Sequence, residues 1–153
     1  MKSVFEKLKK LENVKIFLPT SYYDESLVTT LAKNNPDLTR LVFTDYPSLS
    51  DGCVDLLADS CPGLQEVRIG FRQGNREIVN ERLVNFVKKF RRLEKLEVRC
   101  HKITEDGIER LLGAAKNLKY LDVDWAPMVT NDLVERLRME YPDLTLRIYN
   151  ANW

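Results

Sequence analysis

Apolar residues recur along this chain with the spacing LxxLxL. The stretch CPGLQEVRIG, residues 61–70, places them at Leu64, Val67 and Ile69. The same spacing holds at Leu11-Val14-Ile16, Leu38-Leu41-Phe43, Leu93-Leu96-Val98 and Leu118-Leu121-Val123. The first leucines stand at 11, 38, 64, 93 and 118, and Leu144 opens a degenerate sixth copy, so the steps are 27, 26, 29, 25 and 26 residues. Alternation at the end of each triplet predicts a short strand with one buried face. Three more apolar columns precede each following leucine. The first holds Tyr23, Leu49, Ile78, Ile103 and Val129; the second, five residues on, Val28, Val54, Leu83, Ile108 and Val134; the third, three residues later, Leu31, Leu57, Phe86, Leu111 and Leu137. That spacing puts the second and third columns on one face of a helix, with the first marking where the helix begins. Ser50-Asp51, Thr104-Glu105 and Thr130-Asn131 supply N-terminal caps at those beginnings.

A strand, a turn and a helix repeated at a period in the twenties is the pattern of a leucine-rich repeat. The predicted fold is an α/β solenoid: a right-handed βα arc with parallel strands on the concave face and helices on the convex face. Residues 1–153 are expected to form a single domain of about five repeats plus a C-terminal strand from 144. Cys61 lies three residues before its leucine, where the other units carry Asn35, Phe90, Ala115 and Tyr141. This position is a helix exit that suits a small or apolar buried side chain, and free cysteine behaves as a small hydrophobe. Pro36, Pro62 and Pro142 follow such exits, where a proline stops the helix.

CPGL, NPDL and YPDL, with LSDGCVDLLA and ITEDGIERLL in the helical halves, resemble the cysteine-containing class of leucine-rich repeats. That class is best known from the substrate-binding half of F-box proteins. The resemblance spans nearly the whole chain. It implies a protein-interaction module, the substrate-recognition repeats of a ubiquitin-ligase component. It also implies a Skp-type adaptor as partner if the chain belongs to a longer protein. No segment here matches the helical F-box that precedes the repeats in that family; Val4, Phe5 and Leu8 read instead as the helical end of a preceding repeat. The chain is then either a fragment or a stand-alone repeat domain. A scaffold or effector domain unrelated to ubiquitin, and a regulator that wraps an enzyme, remain as alternatives.

Composition narrows the partners. The chain is 44% hydrophobic and 31% charged, as suits a folded domain, and its net charge of +1 provides no overall pull toward nucleic acid or anionic membrane. No apolar run approaches the roughly 18 residues of a membrane span, and MKSVFEKLKK lacks a signal peptide's apolar stretch. Three cysteines (Cys53, Cys61, Cys100) at different positions of their repeats argue against a disulfide framework. A reducing intracellular compartment, cytoplasmic or nuclear, is expected.

The repeat register arranges the outward strand residues in columns. The first is Asn13, Arg40, Glu66, Lys95, Tyr120; the second Lys15, Val42, Arg68, Glu97, Asp122; the third Phe17, Thr44, Gly70, Arg99, Asp124. Leu18, Asp45, Phe71, Cys100 and Trp125 stand at the strand exits. Column neighbours Glu66 and Lys95, Arg68 and Glu97, and Arg99 and Asp124 are expected to pair. The third unit is longer, and its extra residues are expected in a loop from Phe71 to Glu77 made basic by Arg72 and Arg76. A protein or peptide ligand on the concave face would then meet Arg68, Phe71, Arg72, Arg99, Tyr120, Asp122, Asp124 and Trp125, which include the aromatic and arginine types typical of binding hot spots. Nucleic acid is disfavoured because opposite charges interrupt any basic stripe.

No catalytic, cofactor or metal site is expected. His101 is the only histidine; beside Cys100 it lacks the further ligands that zinc requires. Lys88-Lys89-Phe90-Arg91-Arg92 ends a helix, where positive charge complements the dipole.

Overall fold

A computed structural model describes residues 7–17, 24–43, 49–71 and 75–149. Among these, six strands alternate with five helices: β1 (Asn13–Ile16), α1 (Glu25–Asn34), β2 (Arg40–Phe43), α2 (Asp51–Ser60), β3 (Glu66–Gly70), α3 (Arg76–Lys89), β4 (Lys95–Arg99), α4 (Glu105–Ala114), β5 (Tyr120–Asp124), α5 (Asn131–Glu140) and β6 (Thr145–Ile148). The strands form one parallel sheet in sequence order. This is the α/β leucine-rich-repeat solenoid. None of the helices described is long and apolar enough to cross a membrane.

The repeated apolar positions build the core. Leu41, Val67, Leu96 and Leu121 are paired in register, and each is fully buried. The helices return Val28, Val54, Leu83, Ile108 and Val134, and Leu31, Leu57, Phe86, Leu111 and Leu137, all at 5% exposure or less. Each such leucine contributes about 1.5–3 kcal/mol by leaving water.

Cys61 caps α2, and its thiol donates to the carbonyls of Ala32 (3.6 Å) and Asn35 (3.4 Å) in the preceding unit. Asn35, at the matching position, is polar yet fully buried. Its amide donates to Leu31 O (2.8 Å) and Leu8 O (3.2 Å), and its carbonyl accepts from Leu11 N–H (2.8 Å). The helix-exit position therefore selects groups that satisfy backbone of the preceding unit as well as small apolar ones. All three cysteines are buried and unbridged. Burial pushes Cys53 up to about 12 and Cys61 and Cys100 up to about 11.

The long third unit departs from expectation. Its extra residues lengthen the helix instead of the loop. Asn75 is the N-cap, accepting from Ile78 N–H at 3.0 Å, and Arg76 and Glu77 begin α3. Ile78 therefore lies within the first turn and is 49% exposed, while Val79 is buried. Arg72 lies outside the described residues, as do Val4, Phe5, Leu18, Tyr23, Thr44 and Asp45.

Neighbouring helices also cap one another laterally. The Glu25 carboxylate accepts from Ser50, the N-cap of α2. Glu105 accepts from Thr130, the N-cap of α5, through both N–H (3.0 Å) and Oγ1 (2.5 Å). Those bonds hold its carboxyl below the usual carboxylate range. Asn80 plays this part in α3. It donates to Thr104 Oγ1 (2.7 Å) and accepts from Thr104 N–H (3.2 Å). Asp51, the first residue of α2, pairs across with Arg82 Nε of α3 at 2.7 Å.

Candidate protein-binding face

The strand face carries a five-membered ion-pair network and, beside it, an Arg99–Asp124 pair. Glu66, Lys95 and Tyr120 are in register, as are Arg68, Glu97 and Asp122, and Gly70, Arg99 and Asp124. Arg40 meets Glu66 at 2.8 Å, Lys95 bridges Glu66 (3.2 Å) and Glu97 (2.9 Å), and Arg68 lies 3.3 Å from Glu97. Arg99 grips Asp124 Oδ2 through Nε (2.8 Å) and through a second nitrogen (2.6 Å). The carboxylates of Glu97 and Glu66 raise the Lys95 ammonium above its ordinary value, against the opposing effect of burial. Partly exposed pairs of this kind contribute about 0.2–1 kcal/mol each, so they organise the surface more than they stabilise the fold.

Tyr120 stands between two cations: Lys95 Nζ is 4.9 Å and the Arg147 guanidinium 5.7 Å from its ring. Its hydroxyl donates to Asp122 at 3.2 Å. Burial raises the Asp122 carboxyl above its ordinary value; Glu97 and Asp124 add to the rise, while Tyr120 and Arg147 oppose it. Burial and the same carboxylate also raise the Tyr120 phenol. Arg147 pairs in register with Asp122. Sequence reasoning left it out because the sixth strand starts early. Leu144 N–H still bonds Tyr141 O, yet Thr145 already aligns with Tyr120, one residue sooner after the leucine than in the units before. Aligning Leu146 and Ile148 with Leu121 and Val123 is the signal that places Arg147 in the second column.

The strand exits differ from expectation. Phe71 is 1% exposed and meets Phe86 edge to face at 5.8 Å, so it is a core residue and not a partner contact. The cause is in the backbone. Phe71 N–H bonds Arg99 O, and Cys100 N–H bonds Asp124 O, which extends each ladder by one residue and leaves both side chains in the core. In the fifth unit the equivalent bond comes from Ala126, to Tyr149 O at 2.9 Å, and Ala126 is the fully buried residue. Trp125 is therefore one residue extra, extruded from the ladder with φ 63. A left-handed backbone costs a bulky residue about 1–2 kcal/mol, and such outliers concentrate at functional sites. The indole is 49% exposed and lies 5.5 Å from the His101 ring. Val42, expected to face outward, is also covered, at 5% exposure.

Arg68, Arg99, Tyr120, Asp122 and Asp124 thus share one face of β3–β5, with Trp125 at its edge. Among the described residues no cluster of three or more histidine, cysteine or acidic side chains is placed to hold a metal ion.

No protein-family model matches the chain, and no curated protein matches it. Solved structures do. A chain of the yeast Rad7–Elc1 complex superposes with a TM-score of 0.64 at 20% identity, over 80% of this chain and 31% of that one. The tropomodulin C-terminal domain of Caenorhabditis elegans superposes with a TM-score of 0.58 at 11% identity, over 93% of this chain and 89% of that domain. This chain therefore spans about a third of the length of the Rad7–Elc1 chain it resembles. At these identities the likeness establishes the fold alone: the chain has the strand–helix solenoid architecture found in both.

Proposed function

We propose that this protein is a non-catalytic interaction module that binds a protein or peptide ligand across β3–β6, with Trp125 as the anchor at the edge. The observation that carries this reading is the extruded indole: a backbone strain held in place to expose an aromatic side chain. Beside it, cations and carboxylates alternate at ion-pair distance, which favours a partner of mixed charge over nucleic acid.

The finer reading is the substrate-recognition repeats of an F-box-type ubiquitin-ligase component. It rests on the cysteine-containing repeat motif, in which Cys61 donates to backbone of the preceding unit. The structural likeness to a chain from a two-protein complex, Rad7 with Elc1, is in keeping with it. Affinity capture of the full gene product with mass spectrometry tests this. Recovery of a Skp-type adaptor is the expected result, and recovery of protein partners without one overturns the ubiquitin link while leaving the interaction role.

A further inference from the structure

Two of the repeat's irregularities fall on the rim where strands pass into helices. One is the added first turn of α3, in the third unit; the other is the extruded Trp125, in the fifth. The loop of the intervening fourth unit carries His101 and Lys102 between them. An open cavity of about 630 Å³ lies here, lined by Asn75, Arg76 and Glu77 of the α3 start, His101 and Lys102, and Met128 of the β5–α5 loop. It connects through His101 to the exposed indole. Among the described residues, none of the strand face lines it.

The lining has a definite chemical character. Arg76, Lys102 and the His101 imidazole bring nitrogen donors, against one carboxylate among the described residues, Glu77. Met128 and the neighbouring indole supply polarizable apolar surface, which accepts an aliphatic side chain of varied shape. Basic groups beside the apolar surface of Met128 complement a segment in which acidic residues flank one aliphatic residue. We infer that this rim cavity is a second docking site, which takes an acidic linear segment of a partner protein. It goes beyond the strand-face reading and does not depend on it.

The test uses a fluorescein-labelled peptide in which glutamate and aspartate flank a single leucine, titrated against the intact protein by fluorescence polarisation. Two companion peptides replace the leucine by glycine or every acid by lysine. The acidic leucine peptide is expected to bind, and both companions at least about tenfold more weakly. The double variant R76E/K102E is expected to lose at least about tenfold toward the acidic peptide. R76Q/K102Q, which introduces no new charge, should fall in between, and circular dichroism should show native secondary structure for both. Glu109→Ala, on the helical side, should bind as the unaltered protein does, and R147E reports on the strand face. Absence of binding by the acidic peptide, equal binding of all three peptides, or unchanged binding by both rim variants overturns the proposal. If R147E alone abolishes binding, the segment sits on the strands: the rim site fails and the strand-face reading stands. Displacement of the peptide by a short single-stranded DNA also overturns it, because the cavity would then be a general anion site.

Discussion

Trp125 shows how one residue changes the face of a repeat. A periodic reading aligns it with Phe71 and Cys100, both of which are buried. The ladder bond from Ala126 shows that the periodic place has passed to the next residue and that the indole is an insertion. If its positive φ is intrinsic strain, glycine should relieve it and alanine should not. Trp125→Gly is therefore expected to be more stable than Trp125→Ala by about 1 kcal/mol in urea unfolding, against the usual penalty for glycine. Equal stability of the two variants, or a more stable alanine, would show that the backbone at 125 is relaxed.

At the scale of elements, helix starts are fixed by their neighbours as much as by their own caps. Asn80 reaches from α3 to both the N–H and Oγ1 of Thr104, and a Cβ on Gly107 would stand 2.1 Å from Asn80 Oδ1. Glycine is required there by that close approach. Gly107→Ala should cost about 1–3 kcal/mol, although alanine is the better helix former. Asn80→Ala should make Gly107→Ala far less costly, a coupling measurable by a double-mutant cycle from chemical unfolding. Additive effects would mean the two residues do not compete for space. This contact also marks the limit of what the sequence discloses. The strand pairs Glu66–Lys95, Arg68–Glu97 and Arg99–Asp124 were legible because a constant repeat places column neighbours in register. The core columns Val28 to Val134 and Leu31 to Leu137 were legible for the same reason. What escaped lies where a unit gains or loses residues. Added residues can enter a loop, lengthen a helix or bulge from a strand, and periodicity does not distinguish these. The third unit lengthened α3 and exposed Ile78, the fifth extruded Trp125, and the sixth lost a residue and hid Arg147 from its column.

For the whole molecule, three buried thiols, at different positions of their repeats, shape the response to alkaline pH. Cys53, Cys61 and Cys100 begin to ionise in the unfolded chain near 9, whereas in the fold burial keeps them protonated to about 11 or 12. Between those values the native state binds more protons, so stability is intact below pH 9 and falls as pH rises beyond it. Urea midpoints should drop from pH 8 to pH 10, and a Cys61→Ala, Cys100→Ala double variant should lose less over that interval. An identical slope in the variant would assign the alkaline loss to other groups. The central claim, that a partner docks on β3–β6 against Trp125, is tested most directly by calorimetry with the partner recovered by affinity capture. Trp125→Ala is expected to cost at least about 2 kcal/mol of binding. Glu109→Ala, whose carboxylate pairs with Arg136 on the helical side, is expected to leave binding unchanged. Loss of binding in Glu109→Ala with a neutral Trp125→Ala would place the partner on the helices and contradict the account.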